Sequence, residues 1–278
     1  MDACEDPLRK LSAHQNLVLG VTAGSVDQLL LQPMLYWKNS LQQGLPFTMN
    51  PKLLYRGTAA SMGNMGFTTG QQFLTAGVFQ NFLTGGAGQE MTYGQEVAAA
   101  WMGGAASGPL CGFMELIMIQ QQRFGGSLWG TPARLVRERG LSVLLRGGLC
   151  TVGRESIYAA GYLGIVPVTQ KLFTDTYGLS PHLGSFVGAT VGGLACAALS
   201  QPLDTAKTCM QGDVERKKYT NAFQTLKTLH VEYGSVKALY RGYWWRGANI
   251  VVEFILLDWL SKRLAPIMYP KLCGPGAS

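Results

Sequence analysis

The chain has 278 residues, of which 47% are hydrophobic and 14% charged, with 36 glycines and a formal net charge of +7. Soluble domains carry about a quarter charged residues, so this composition argues against a soluble globular protein and for a membrane protein, where glycine is also more frequent. The basic excess falls in three loops and not on one continuous stripe, so it is read as a membrane-orientation signal and nucleic acid is not expected as a partner.

The N-terminal stretch MDACEDPLRK has acids and no apolar core, which fits neither a signal peptide nor an Arg-rich transit peptide. Six apolar spans follow, at about 15–38, 58–84, 96–119, 148–171, 183–208 and 243–268. No Lys, Arg, Asp or Glu occurs from Gly57 to Gln89, from Val97 to Met114, or from Thr176 to Leu203. Each of these stretches can hold a membrane helix of roughly 20 residues. The connections 39–57, 120–147 and 208–242 carry 2, 5 and 6 Lys/Arg, whereas 84–95 and 173–181 carry none. All basic loops therefore lie on one side, and an even number of spans places both termini on the other.

Within the spans the chain repeats itself. PMLYWKNSLQ from Pro33, FMELIMIQQQ from Phe113 and PLDTAKTCMQ from Pro202 align without gaps, ending in Gln42, Gln122 and Gln211. Small residues precede each start at the same offsets: Gly20 and Gly24, Ala100 and Gly104, Ala189 and Gly193. That spacing lets helix backbones approach in lipid. Downstream come LYRG at Leu54, LLRG at Leu144 and LYRG at Leu239. The fold class expected is thus an all-α membrane protein, six transmembrane helices in three tandem two-helix repeats with pseudo-threefold symmetry. Residues 1–278 form one domain, with repeats at about 12–92, 93–178 and 179–278. Pro33 and Pro202 should kink the first and fifth spans, and Pro109 the third. The segments FGGSLWGTPARLVRERG and YTNAFQTLKTLHVEYG read as short surface helices on the basic side. Pro33 precedes Arg56 by only 23 residues, against 33 and 39 in the other repeats, so the first surface helix should be reduced.

Repeat three carries Pro202, Asp204, Lys207, Glu232, Gly234 and Tyr240-Arg241-Gly242. This resembles the full signature of the mitochondrial carrier family, and repeats one and two match it in part. The resemblance implies a solute carrier of the mitochondrial inner membrane, multi-pass, with both termini toward the intermembrane space, working by alternating access around a central site. It also implies that acid and base of the signature, which share a helical face at i,i+3, form a ring closing the matrix side. Each acid there pairs with the base of the next odd-numbered helix. Here the pairs are Glu115 with Lys207 and Asp204 with Lys38; the third would be Leu35 with Met118, both apolar. Losing one whole bridge is often neutral, whereas losing one partner costs about 3–5 kcal/mol. Gln42, Gln122 and Gln211 lie on the same faces and join the matrix-gate set; the pairs serve either as a gate or as static ties between helices. The aromatic-acid-x-x-base motif expected near the ends of even-numbered helices is missing: Ala76-Gly77 and Val166-Pro167 stand there, and Asp258 and Lys262 are off register.

Eight residues beyond each triplet arginine lie Asn64, Arg154 and Asn249, and Glu155 follows Arg154. An ionisable residue inside a span is costly and points to function. The resemblance makes this level the substrate site, and an Arg-acid pair there resembles amino-acid-transporting members. Arg154 would fork a carboxylate and Glu155 receive an ammonium. The alternatives are a structural pairing of Arg154 with Asp27 or Glu253, a Glu155 turned to a neighbouring helix, and interhelical bonding by Asn64 and Asn249. Arg56-Gly57, Arg146-Gly147 and Arg241-Gly242 begin the even-numbered helices. Such termini favour anions, and in the family they hold cardiolipin phosphates. Cardiolipin and other anionic lipids are therefore expected partners, together with a small-molecule solute that is amino-acid-like or a carboxylate. No cofactor, metal site or disulfide framework is expected from Cys4, Cys111, Cys150, Cys196, Cys209 and Cys273, and no nucleophile–base constellation marks an enzyme. The rival expectation is a carrier-derived, non-transporting structural subunit bound to a larger inner-membrane complex.

Overall fold

The computed structural model describes residues 13–66, 68, 92–232 and 234–270. Among them all regular structure is helical and no strand occurs. The helices are α1 (Ala13–Gln43), α2 (Pro51–Leu54), α3 (58–66), α4 (Tyr93–Phe124), α5 (Gly130–Arg139), α6 (Gly148–Lys171), α7 (Pro181–Gly212), α8 (Ala222–Glu232) and α9 (Tyr243–Met268). Most of the expected second span lies outside the described residues, as do Cys4, Cys273 and Ala76-Gly77. The other four cysteines are buried and free.

α1, α4 and α7 run 31, 32 and 32 residues without a break across Pro33, Pro109 and Pro202. At 1.5 Å per residue each is roughly 46–48 Å long, more than the apolar thickness of a bilayer. Tyr93–Phe124 and Leu183–Gly212 are long and apolar enough to cross a membrane; α1, α6 and α9 carry charged residues mid-helix. Large apolar side chains face outward, Leu149 at 85% and Trp244 at 83% exposure.

Helix α6 is held between α4 and α7, and glycines set those distances. A Cβ on Gly108 would stand 2.6 Å from Val152 Cα, and one on Gly188 would stand 2.4 Å from Gln170 Cα. Gly104 and Gly112 continue the first contact along α4, Gly184 and Gly192 the second along α7. Of the small residues singled out by the repeat, Gly104 makes such a contact and Gly24 meets only the Met65 side chain; Gly20 has nothing within 4 Å. The closer signal was a glycine at every fourth position, because i and i+4 lie one above the other on one face.

Helices α1 and α9 pack antiparallel, Leu19 against Ala265 at one end and Trp37 against Trp245 (centroids 4.8 Å apart) at the other. The first basic loop holds only the four-residue α2, and Trp37 Nε1 donates to Thr48 O at 2.8 Å to pin it. The other two loops carry the longer α5 and α8. Leu135 anchors α5 beside Leu116 and Val143, and Leu229 of α8 is fully buried. Each such burial is worth about 1.5–3 kcal/mol.

Candidate functional site: a charged cluster beneath a central cavity

The signature residues of α1, α4 and α7 converge. Lys38 Nζ lies 2.9 Å from Asp204 Oδ2, and Lys207 Nζ lies 2.8 Å from Glu115 Oε1 and 3.0 Å from Asp204 Oδ1. Leu35 packs on the apolar cluster that contains Met118, so the third, apolar position is filled by contact rather than by charge. All four charged residues are under 10% exposed. Buried charge of this kind persists only when paired.

The three glutamines part company. Gln42 Nε2 donates to Asp204 Oδ2 at 2.8 Å, bracing that carboxylate. Gln122 Oε1 accepts from Asn39 Nδ2 at 2.9 Å and touches no ion pair. Gln211 Nε2 donates to the carbonyls of Gly112 (3.0 Å) and Arg146 (3.3 Å). The reason lies one residue before each signature. Gln32 and Gln201 donate to the carbonyls of Arg56 and Arg241, both at 3.0 Å. Repeat two has Gly112 at that place, and Gln211 fills in for the absent side chain.

Arg154 departs from both expectations set for it. It reaches neither Asp27 nor Glu253 but enters the signature cluster. Its guanidinium pairs with Glu155, lies 3.1 Å from Glu115 Oε1, and has Nε 3.7 Å from Asp204 Oδ1. Glu155 shares that guanidinium although the two residues are adjacent on α6, and also accepts from Cys111 Sγ on α4 at 3.1 Å. Three cations (Lys38, Lys207, Arg154) thus meet three carboxylates (Glu115, Asp204, Glu155), and the cluster is neutral.

Above it opens a cavity of about 250 Å³, with Asn64, Arg154, Glu155 and Asn249 all in its wall. Arg246, which the sequence reading passed over, lines it too. The residue donates to Ser200 Oγ (2.9 Å) and Gln201 Oε1 (3.1 Å), and its guanidinium lies 5.7 Å from the Tyr158 ring centroid. The rule that flagged Arg154, an arginine inside an apolar span, would have found it. Val166 and Pro167 lie in α6 and offer no charge at the opposite end.

Gly57, Gly147 and Gly242 all take left-handed φ, +84°, +77° and +78°. A Cβ there would stand 3.0–3.4 Å from Met118, Lys207 and Lys38 respectively, or from their glutamine neighbours, so side-chain-free backbone is what these contacts admit. The triplet arginines point elsewhere. Arg146 is 5% exposed and donates to the carbonyls of Met210 and Asp213 at the C-terminal end of α7, where carbonyls lack helical partners, and to those of Tyr219 and Thr220 in the loop before α8. That spends its guanidinium and removes it from the groups a lipid phosphate can reach. Arg56 and Arg241 lie against Gly125 and Gly44, just past the ends of α4 and α1.

Residues 179–265 match the family described as mitochondrial carrier protein. The chain is 29% identical over 150 residues to the mitochondrial 2-oxoglutarate/malate carrier protein of Sus scrofa, covering 51% of this chain and 45% of that one. Matches to a tricarboxylate transporter of Gibberella moniliformis (25%, covering 76% of this chain and 78% of that one) and to a mitochondrial arginine transporter of Arabidopsis thaliana (26%, 74% and 72%) run longer. For an Arabidopsis uncoupling protein and the oxoglutarate/malate carriers, the matched stretch spans less than half of the relative's length. Residues 179–265, with the full signature of repeat three, match the mitochondrial carrier family, and repeats one and two carry its signature in part, so the chain resembles that family along most of its length.

Proposed function

We propose that the chain is a solute carrier of the mitochondrial inner membrane, built from six spans in three repeats, with both termini toward the intermembrane space. The substrate is amino-acid-like or a carboxylate, and transport proceeds by alternating access around the central cavity. The observation that carries this reading is the placement of Asn64, Arg154, Glu155 and Asn249 on one cavity directly above a closed, charge-neutral cluster. The relatives named as oxoglutarate/malate, tricarboxylate and arginine carriers favour the same substrate classes. Lys38, Glu115, Asp204 and Lys207 serve as the matrix gate, and opening exchanges their mutual pairing for water. Arg154 ties the gate to the cavity, because a substrate carboxylate that takes its fork must compete with Glu115 and Glu155. The backbone at Gly57, Gly147 and Gly242 supplies the cardiolipin contacts.

The test is uptake into liposomes of labelled arginine, malate and 2-oxoglutarate by purified protein. Uptake of at least one, lost in Lys207→Met, supports the carrier. A second reading, a non-transporting subunit of a larger complex, draws on the saturation of Arg154 by protein carboxylates. Folded protein with no uptake of any of the three, recovered with other membrane proteins after mild-detergent capture, would establish it instead.

A further inference from the structure

The cavity has a second wall whose chemistry is opposite to the cluster below it. Asn64 Oδ1 and Asn249 Oδ1 are buried and accept no hydrogen bond among the described residues. Asn249 turns its Nδ2 to Glu253 Oε2 at 3.3 Å, which fixes its oxygen on the other side. Glu253 lines the same cavity and has no cation within 4 Å among the described residues. Behind it on α1 stands Asp27, fully buried, with neither carboxylate oxygen hydrogen-bonded among the described residues. The antiparallel pairing of Leu19 with Ala265 and of Trp37 with Trp245 puts Asp27 and Glu253 at neighbouring levels.

Among the described residues, no cation within 4 Å meets this demand. The segment 57–91 contains no Lys, Arg or His, and α1 has none between Gly20 and Trp37. Lys38, Lys207 and Arg154 are spent on the neutral cluster. Arg246 lies two helical turns from Glu253 on α9 and is held by Ser200 and Gln201. Two carboxyl groups and two amide oxygens therefore stand together with one donor among the described residues, the Asn249 amide at Glu253. Such groups cost several kcal/mol when left unsatisfied.

We infer that Asn64, Asn249 and Glu253, backed by Asp27, form a binding site for the cationic head of the solute, an ammonium or guanidinium group. An ammonium offers three donors and a guanidinium five, which matches several acceptors around one point, whereas a second carboxylate would add acceptors and repulsion. This deepens the carrier reading and rests on it for the word solute; the site itself is tested by binding alone.

The test is the melting temperature of the purified full chain in detergent, titrated separately with L-arginine, L-lysine and 2-oxoglutarate. Arginine or lysine should raise it by about 5 °C at a hundred times its Kd, and 2-oxoglutarate by less. Glu253→Gln should abolish the amine shift, while Glu138→Gln, in surface helix α5, should retain it. If Glu253→Gln does not fold, Asp27→Asn and Asn64→Ala must each weaken the shift at least fivefold in ligand concentration. No shift with either amine, an undiminished shift in these variants, or a larger shift with 2-oxoglutarate overturns the assignment. An amine shift that depends on Glu253, in a protein without liposome uptake, upholds the site and removes transport.

Discussion

The two ends of the central cavity treat buried charge in opposite ways. At the signature end three cations face three carboxylates, no contacting pair farther apart than 3.7 Å, and Asp204 alone is met by Lys38, Lys207 and Gln42. At the other end Asp27 and Glu253 have one amide donor between them among the described residues. The first is an arrangement that satisfies itself; the second leaves buried acceptors open among the described residues. On the proposed reading, the difference separates residues that close the protein from residues that bind the solute.

One substitution applied to both ends breaks or sharpens this contrast. Asp204→Asn leaves Lys38 and Lys207 competing for what remains of a buried site, and should cost about 3–5 kcal/mol, read as a large fall in chemical or thermal denaturation midpoint. Without ligand, Asp27→Asn removes a buried carboxyl that has no hydrogen-bond partner among the described residues, and should leave stability unchanged or raise it by up to about 2 kcal/mol. Equal losses at both positions would mean that Asp27 has a cation in the folded protein, and the contrast would fail.

The apolar third position gives the next largest effect. Met118→Lys alone buries an unpaired ammonium opposite Leu35. Leu35→Asp alone does the same with a carboxylate. Together they should recover about 1–3 kcal/mol of the summed loss in a double-mutant cycle. Additive losses would show that Leu35 and Met118 do not face each other as the other two pairs do.

Much of the signature end could be read without coordinates, because it repeats. Three aligned segments placed Lys38, Glu115, Asp204 and Lys207 at matching positions, and matching positions on adjacent helices meet at one level. Arg154 could not be placed that way. It occurs in one repeat only, and its long side chain reaches from α6 down to Glu115 and Asp204, a direction that spacing along the helix does not reveal. Gln211 was misjudged for a related reason: its partner is set by the missing side chain at Gly112, on another helix. The acceptor wall was half visible. The sequence offers Asp27 and Glu253 only as alternative partners for Arg154, and whether they meet a cation depends on where Arg154 and Arg246 point.

The smallest effect lies in the loop that joins α7 to α8. Asp213 accepts from the backbone N–H of Lys217 at 3.1 Å through Oδ1, and from those of Lys218 (2.8 Å) and Tyr219 (2.9 Å) through Oδ2. Partial burial alone would raise this carboxyl; the three N–H groups and Arg146 outweigh it and hold it below its ordinary value of 3.8. A depressed folded value means that the stabilisation is complete above the unfolded value and is lost as the pH falls through the folded one. An amide in this place keeps one acceptor oxygen, so Asp213→Asn turns that oxygen to Lys218 and Tyr219 and gives up the bond to Lys217. The expected cost is about 1 kcal/mol, local to the turn. It should appear as roughly fivefold lower hydrogen-exchange protection at Lys217 near pH 7, with the gap between variant and parent closing below the folded value. A gap that persists in acid would show that the turn is held by Arg146 at the Asp213, Tyr219 and Thr220 carbonyls and not by the Asp213 side chain.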